Sequence, residues 1–184
     1  KAVLRVLPQL RPQGLRGAIQ IWDRVTDDRE LVRRTIASAR KSGAECVEKT
    51  SLTGWRVKPN GAYEIVLSGE RTVTARAFVN ATGPWVDGVR REYGKVERDL
   101  VSPIAGAHLM IQKFLPVSTI LQARDKRVFF CINLDDACRI GTTERPCSNP
   151  DKVEATEKEI DYLLESLAFY FPGENLSKKS IVST

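Results

Sequence analysis

The sequence lacks the short motifs by which several common enzyme classes are recognised. It has no GxGxxG after a strand, no GxxxxGK[ST], no HExxH and no GxSxG. Their absence excludes, within this chain, the standard phosphate-binding turn of a dinucleotide domain, a P-loop, a zincin helix and a hydrolase nucleophile elbow. Any chemistry must be carried by less familiar combinations of residues.

Signals for metal binding, membrane insertion and export are also missing. The four cysteines lack the CxxC spacing of zinc sites, so we predict no metal site and interpret them as free thiols in a reducing compartment. No apolar run approaches the roughly 20 residues needed to span a bilayer. The start is too interrupted by charge and proline for a signal peptide. The cysteines are Cys46, Cys131, Cys138 and Cys147.

The composition is that of a globular protein, with 42% hydrophobic residues and a net charge of +6 at pH 7. Acidic and basic residues alternate without a run of five like charges, which favours a solubilising surface over a patch for nucleic acid or membrane. We therefore expect no nucleic-acid partner. The sequence does not begin with methionine and stops without a terminating signal, so we expect a fragment of a longer protein.

Hydrophobic periodicity predicts an α+β fold with antiparallel or mixed sheets and two main helices. In the first half, Asp27 and Asp28 supply N-cap chemistry for an amphipathic helix, which Gly43 ends. A short helix follows at residues 84–93, with Trp85 and Val89 expected to be buried. The predicted strands are residues 18–22, 44–51, 54–58, 62–67, 71–75 and 77–80, and the first main helix is 28–41.

In the second half, alternating residues predict an antiparallel set of strands, one of them bent at Pro103 and Gly106. Both faces of these strands carry apolar residues, so we expect one face to pack on a helix and the other to line a pocket. The strands are residues 101–111, 118–123, 127–133, 137–141 and 179–184, and the second main helix is 154–171.

The turn Thr82-Gly83-Pro84 follows the predicted strand at 77–80. Glycine permits a tight bend, and proline suits the first turn of a helix. Backbone N–H groups at such a place can meet a phosphate or ribose oxygen. Taken alone, the same pattern is more often that of an ordinary strand-to-helix connection.

Two further places have groups that could act on a substrate. His108 is the only histidine, and it can accept or donate a proton near neutral pH, although a lone histidine is often only a core or surface residue. Thr142 and Thr143 follow Gly141 and offer two hydroxyls for a substrate, or else merely end a strand. Arg139 and Arg145 could attract a phosphate or simply face solvent.

Six blocks in order resemble FAD-dependent glycerol-3-phosphate dehydrogenases, members of the glycine/D-amino-acid-oxidase-like flavoprotein superfamily. The resemblance depends on their order and spacing, since no single block is specific. The blocks are VTDDRELV, RKSGAECVEKT, NATGPWVD, SPIAGAHLMI, RIGTTE and EATEKEIDYLLESL.

The resemblance implies roles for named residues. Ala81, Thr82 and Gly83 would approach FAD through their backbone, and Val47 would lie beside its adenine. His108 would face the substrate beside the flavin, as catalytic and substrate-binding residue. The glycine-rich turn and the substrate-phosphate motifs would lie outside this chain, so we predict that the isolated chain neither retains FAD tightly nor turns over.

The sequence departs from the family pattern at three positions near these residues. Ala105 and Ala107 replace the lysine and serine of the commoner KGSH form, and Glu144 stands where aspartate is usual. The lost lysine removes one cation near the pocket. Substrate identity is therefore less firmly implied than the cofactor.

The domains implied are a substrate-domain strand and linker at residues 1–26, a portion of the FAD-binding domain at 27–95 and a portion of the substrate domain at 96–184. The full enzyme would oxidise sn-glycerol 3-phosphate to dihydroxyacetone phosphate and pass electrons to a quinone. It would be cytoplasmic and peripheral to the inner face of the cell membrane, and it could form an oligomer. The alternatives are an FAD-dependent amine or amino-acid oxidase, and a basic interaction domain built on residues 29–41.

Overall fold

A computed structural model describes residues 2–94 and 98–184 of the chain. The chain divides into two units, one of Gln20–Leu100 and one of Lys1–Ile19 with Val101–Thr184. The predicted boundary between residues 95 and 96 lies outside the described residues. The assignment of the parts to cofactor and substrate domains stays a prediction.

The described residues form an α+β structure in which every strand pairing is antiparallel, which confirms the predicted fold class. Single 3₁₀ turns at Gly83–Trp85 and Lys178–Ser180 lead into the helix that begins at Val86 and the strand that begins at Ile181. The helices are α1 (Ala2–Val6), α2 (Asp28–Lys41), α3 (Val86–Tyr93) and α4 (Glu157–Tyr170). The strands are β1 (Leu52–Val57), β2 (Tyr63–Leu67), β3 (Arg71–Ala75), β4 (Ile104–Ala105), β5 (His108–Gln112), β6 (Thr119–Gln122), β7 (Val128–Asn133), β8 (Ala137–Gly141), β9 (Arg145–Pro146) and β10 (Ile181–Ser183).

In the Gln20–Leu100 unit, helix α2 begins and ends where the sequence predicts. The Asp27 carboxylate accepts a hydrogen bond from the Glu30 N–H at 3.0 Å, which satisfies one of the unpaired amides of the first turn. Gly43 follows the helix with φ +89°, a conformation that favours glycine. The predicted apolar face does form, but Leu31 and Val32 are exposed and no α2 residue is buried.

Strands β1, β2 and β3 form the predicted meander in sequence order. Both tight turns place a glycine in the left-handed region, Gly61 at φ +80° and Gly69 at φ +77°. The rings of Trp55, Tyr63 and Phe78 gather on the sheet, with Trp55 5.9 Å from Tyr63 and 5.7 Å from Phe78.

Three predicted strands are wrong for this chain: residues 18–22, 44–51 and 77–80 have irregular backbone. A strand exists only when a neighbour accepts and donates its backbone hydrogen bonds. No described strand forms a ladder with these three stretches, although their alternation is strand-like, and residue Ser51 makes a single backbone bond, accepting from the Ser68 N–H at 2.9 Å. The side chain of Trp22, for example, is left 91% exposed.

The second unit contains a five-stranded sheet in the order β10-β5-β8-β7-β6 and a small β4-β9 ladder. The strands of the five-stranded sheet match the predicted set to within a few residues, whereas β9 is not among the predicted strands. The predicted bend is confirmed at Gly106, where the strand breaks into β4 and β5. Residues 101–103 lie outside the strand.

Helix α4 packs on one face of the five-stranded sheet, as predicted. It begins at Glu157 rather than at residue 154, because Thr156 and Glu159 form a reciprocal capping box. Leu7 and Leu10, next to α1, join the same core, so the first residues are helical and not a strand. The core residues include Leu109, Ile111, Phe129, Cys131, Cys138, Ile140, Leu163, Leu167 and Phe171.

The other face of this sheet is not covered by the described residues. His108 and Arg139 lie on it, together with the apolar side chains of Phe130 and Val128. The predicted alternation is confirmed, since Phe129 is buried while Val128 and Phe130 are exposed. No described helix is both long and apolar enough to cross a bilayer.

Candidate active site

The loop between β4 and β5 packs directly on the loop between β8 and β9. A β-carbon placed on Gly106 would lie 2.3 Å from Thr142 Oγ1 and 2.4 Å from the Thr143 carbonyl oxygen. Both distances are too short for any side chain, and the second contact is with backbone. Glycine at position 106 is therefore what allows the two loops to touch.

This contact brings three of the predicted site residues together at adjoining strand ends. His108 is paired across the sheet with Gly141, and Thr142 and Thr143 follow directly. Gly141 has φ +150°, and a β-carbon there would stand 2.7 Å from His108 Cδ2. The imidazole therefore occupies space that a side chain at residue 141 would need.

The imidazole of His108 is suited to accept a proton. Partial burial lowers its pKa below the ordinary value of 6.5, and the positive charge of Arg139 lowers it further. The ring is therefore neutral at pH 7. No residue in ranges 2–94 and 98–184 hydrogen-bonds to it, and Arg139 forms no ion pair with those residues.

Thr143 is buried and its hydroxyl already has two partners. It donates to Glu159 Oε1 at 2.6 Å and accepts from the Ala107 N–H at 2.8 Å. Thr142 Oγ1 donates to the Thr143 carbonyl oxygen at 2.9 Å. Thr143 therefore joins the two loops, whereas the Thr142 hydroxyl bonds within its own loop, and the role of both threonines as substrate ligands stays a prediction.

Glu159 is the residue of this region that sequence reasoning missed as part of the site. Burial acts to raise the pKa of its carboxyl, but hydrogen bonds from Thr143 and Thr156, with one from Arg145, outweigh burial and bring the pKa down to about 2. The signal available in the sequence was the spacing Thr156-x-x-Glu159, which is that of a capping box.

A cavity of about 450 Å³ opens beside these loops. Arg145 lines it, but its guanidinium is engaged by Glu159 at 3.1 Å and by the Glu154 carbonyl oxygen at 3.0 Å. Of the two arginines considered from sequence, Arg145 is therefore structural. The cavity is lined by residues 105–108 and 153–155 with Arg145, Glu159 and Thr184.

In the Gln20–Leu100 unit, the turn predicted to approach FAD is held by Asn80. Its Oδ1 accepts from Thr82 Oγ1 at 2.7 Å and its Nδ2 donates to the Val86 carbonyl oxygen at 3.1 Å. Gly83 has φ +58°, and no described atom lies within 4 Å of the place of a β-carbon there. The exposed main chain of Ala81 to Gly83 therefore fits close approach by a cofactor.

Other residues around this turn differ from expectation. Trp85, predicted to be buried, is 46% exposed, whereas Asp87 is buried and binds Arg90. Asp87 Oδ2 also accepts from the Leu100 N–H at 2.8 Å, so a buried carboxylate anchors α3. Val47 lies in irregular backbone with its side chain exposed, and its place beside an adenine stays a prediction.

Within the described ranges, no group of three histidine, cysteine or acidic side chains is placed to hold a metal ion. All four cysteines are free thiols. Burial raises the pKa of the Cys131 thiol to about 12, helped by the neighbouring Cys138, while the Thr119 hydroxyl acts in the opposite direction. These two cysteines are core residues.

Comparison of the sequence with known proteins finds relatives that are named as glycerol-3-phosphate dehydrogenases and an alpha-glycerophosphate oxidase. The chain is 29% identical over 196 residues to an aerobic glycerol-3-phosphate dehydrogenase of Staphylococcus haemolyticus, covering 100% of this chain and 35% of that protein. It is 28% identical to an alpha-glycerophosphate oxidase of Lactococcus lactis, covering 97% and 31%. The chain thus spans about a third of the length of these relatives.

Solved structures share the fold. The glycerol-3-phosphate dehydrogenase of Bacillus halodurans, determined with FAD, superposes with a TM-score of 0.83 at 23% identity, covering 98% of this chain and 38% of that chain. NikD, an amino acid oxidase of nikkomycin biosynthesis, gives a TM-score of 0.54 at 14% identity. The model of the FAD dependent oxidoreductase family matches residues 1–184, and the resemblance given by the six sequence blocks is confirmed. The chain belongs to the FAD-dependent oxidoreductase family.

Proposed function

We propose that the protein containing this chain oxidises sn-glycerol 3-phosphate to dihydroxyacetone phosphate. The observation that carries the proposal is that a neutral imidazole, His108, and a cation, Arg139, lie on the same uncovered face of the five-stranded sheet. His108 has no hydrogen-bond partner among the described residues, and Arg139 lies on the same face without an ion pair there. The relatives' names support the substrate.

The chain's own residues supply the proton acceptor. A neutral His108 imidazole can take the proton of the substrate hydroxyl as the hydrogen on C2 departs as hydride. Arg139 provides a positive charge that attracts the phosphate of an anionic substrate to the same face. After burial, this cation is the second cause that lowers the pKa of His108, so one arginine favours both substrate binding and the basic form of the imidazole.

FAD, when bound, supplies the acceptor for that hydride. The residues of this chain that would hold it are Ala81, Thr82 and Gly83, with Val47 beside the adenine. Asn80 fixes the turn through its side chain, so the main chain is already in place before a ligand arrives. This arrangement contacts a cofactor through backbone and does not depend on the side chains at residues 81–83.

We also propose the partners that the resemblance implies. Electrons would pass to a quinone, and the protein would act in the cytoplasm, peripheral to the inner face of the cell membrane, with oligomerisation possible. The isolated 184-residue chain would not turn over, because the glycine-rich turn is absent from its sequence. An oxygen electrode distinguishes a quinone acceptor from molecular oxygen.

The full-length protein tests this function directly. Flavin absorbance should bleach on anaerobic addition of sn-glycerol 3-phosphate, but not on addition of glycerol, which lacks the phosphate. His108→Gln should lower kcat by about 10²- to 10⁴-fold, the usual contribution of a general base. Bleaching by an amine or amino acid instead would overturn the proposal in favour of an amine or amino-acid oxidase. A flavin-free protein that binds nucleic acid or anionic vesicles would favour an interaction domain.

A further inference from the structure

We propose that Glu159 is a positioning residue for His108, acting through Thr143 and the main chain of Ala107. This inference rests on the proposed role of His108 as proton acceptor. Glu159 does not touch the imidazole. It holds the backbone from which the imidazole projects, and it does so from the first turn of a helix on the other side of the loop.

Both carboxylate oxygens of Glu159 accept hydrogen bonds. Its side chain is only 10% exposed, and its two oxygens have different tasks. Oε1 accepts a hydrogen bond from Thr143 Oγ1, at an O···O distance of 2.6 Å. Oε2 accepts from the Thr156 N–H at 3.0 Å, from Thr156 Oγ1 at 2.7 Å and from Arg145 Nε at 3.1 Å. One oxygen therefore caps the helix, and the other reaches the site.

Thr143 passes this constraint to the backbone. Because its hydroxyl hydrogen points at Glu159, its lone pairs are turned to the Ala107 N–H, which lies 2.8 Å away. The Thr143 N–H returns a bond to the Ala107 carbonyl oxygen at 3.3 Å. Ala107 is thus held on both its polar groups by a single residue, whose hydroxyl Glu159 orients.

The position of Ala107 sets that of the imidazole. His108 is the next residue, and its ring lies on Gly141, where a β-carbon would be 2.7 Å from Cδ2 and 2.8 Å from the Ala107 carbonyl oxygen. The ring and the Ala107 carbonyl oxygen therefore flank the same glycine. A shift of the Ala107 backbone would move the imidazole with it.

Substitutions can separate the two tasks of Glu159. Glu159→Gln keeps the shape but offers one acceptor oxygen where the carboxylate offers two, so it cannot serve both Thr143 and the helix cap. Thr143→Val removes the relay and leaves the cap intact. Thr143→Ser restores the hydroxyl. Thr156→Ala weakens the cap and removes one hydrogen bond to Glu159 Oε2, but it leaves the Thr143 bond to Oε1 in place. Glu165→Gln makes the same chemical change as Glu159→Gln at an exposed position of α4.

The variants are compared in the full-length protein by steady-state kinetics with sn-glycerol 3-phosphate, by thermal unfolding and by carbethoxylation of His108 followed by mass spectrometry. Glu159→Gln and Thr143→Val should each lower kcat by about 10- to 100-fold with little change in KM, because a displacement near 1 Å costs about that much. Both should also change the rate at which His108 is modified, an effect that loss of a helix cap does not predict.

The control variants should behave differently. Thr143→Ser and Glu165→Gln should stay within about threefold of wild type in kcat and in modification rate, and Thr156→Ala should lower Tm with kcat largely kept. If Glu159→Gln and Thr143→Val fold, turn over normally and leave His108 modification unchanged, the positioning role is wrong. If the wild-type protein does not oxidise the substrate at all, the proposed function fails instead, and the modification rates still decide whether Glu159 positions His108.

Discussion

The imidazole of His108 rests on Gly141, its cross-strand partner, so closely that residue 141 has no room for a β-carbon. That carbon would stand 2.7 Å from Cδ2 of the ring and 3.2 Å from Cγ. Residue 141 also has φ +150°, which L side chains rarely adopt. Steric fit and backbone conformation both require glycine beneath the candidate base.

Gly141→Ala should therefore displace the imidazole. We expect kcat to fall by about 100-fold, the usual cost of a misplacement near 1 Å, together with a lower Tm. Gly173→Ala is the control, because a β-carbon there meets nothing within 4 Å. Steady-state kinetics and thermal unfolding of both variants check this. Normal turnover by Gly141→Ala would show that the position of the ring against Gly141 does not matter for activity.

Arg139 should set the pH at which activity appears. The pKa of His108 is lowered first by burial and then by the charge of Arg139. Because the neutral ring is the active base, kcat/KM should rise with pH along a limb centred below pH 6.5. Arg139→Gln removes the repelling charge, so the His108 pKa rises and the limb moves to higher pH. Arg124→Gln, whose guanidinium stands over the Phe169 ring, should leave the limb in place. An unmoved limb in Arg139→Gln would contradict the coupling.

The carboxyl of Glu159 should make stability depend on pH at the acid end. Its pKa is about 2 in the folded state against an ordinary 4.5, so the native state favours the ionised form. The stabilisation is present above pH 4.5 and is lost as the pH falls towards 2. Glu159→Gln should cost about 2 kcal/mol of unfolding free energy near pH 7, typical of hydrogen bonds to a charged group.

Urea unfolding of both proteins at several pH values measures this dependence. The difference between wild type and Glu159→Gln should shrink as the pH is lowered from 4.5 towards 2. A difference that stays constant over that range would mean that the Glu159 carboxyl titrates alike in the folded and unfolded states.

Local patterns in the sequence predicted most of the elements. The meander with its glycine turns, the β6–β8 strands and the α2 helix with its Asp27 cap all depend on neighbours close in sequence. For such elements, periodicity and turn chemistry are sufficient. Periodicity predicts the start of α4 three residues early, because the helix begins at the capping box of Thr156 and Glu159 and not where the apolar pattern begins.

Whether the three wrongly predicted strands form depends on contacts with residues far away in sequence. Residues 18–22, 44–51 and 77–80 alternate as strands do, but alternation says nothing about whether a partner strand exists. Without a partner strand among the described residues, the backbone stays irregular and Trp22 remains exposed. Pairing is a long-range property, and a local pattern cannot supply it.

In the candidate site, too, local sequence patterns predict some features and long-range contacts determine the others. His108, Thr142 and Thr143 were selected from sequence and do meet at one strand end, because the β5–β8 pairing joins them. The sequence could not show that the Thr143 hydroxyl is hydrogen-bonded to both Ala107 and Glu159. That contact links residues 16 positions apart across a loop and a helix end. Their participation in substrate binding stays a prediction.

The four cysteines should separate into two reactive and two protected thiols. Cys131 and Cys138 are buried between sheet and α4, and burial raises the pKa of Cys131 to about 12. Cys46 and Cys147 are partly exposed. Because the thiolate is the reactive form, brief alkylation of the native protein should label Cys46 and Cys147 alone, and denaturant should expose the other pair. Peptide mass spectrometry reads this out; native labelling of Cys131 would mean that the core opens.

Gly83 and Gly69 offer a matched test of the cofactor turn. Both glycines lie in the Gln20–Leu100 unit with left-handed φ values, +58° and +77°, and a β-carbon on either would meet nothing within 4 Å. Alanine should therefore impose a similar backbone cost at each, on the order of 1 kcal/mol. Gly69 lies in the turn between β2 and β3 and Gly83 begins a 3₁₀ turn, and FAD is expected to approach only Gly83.

In the full-length protein, Gly83→Ala should reduce the flavin retained after gel filtration, because its methyl group would occupy the space that the cofactor needs. Gly69→Ala should retain flavin at the wild-type ratio while losing comparable thermal stability. The flavin-to-protein absorbance ratio and Tm of each variant are the measurements. Equal flavin loss in both would trace the effect to backbone strain, and full retention in both would place the cofactor away from Gly83. Selective loss at Gly83 is expected only if the open main chain beside Asn80 is a contact surface for FAD.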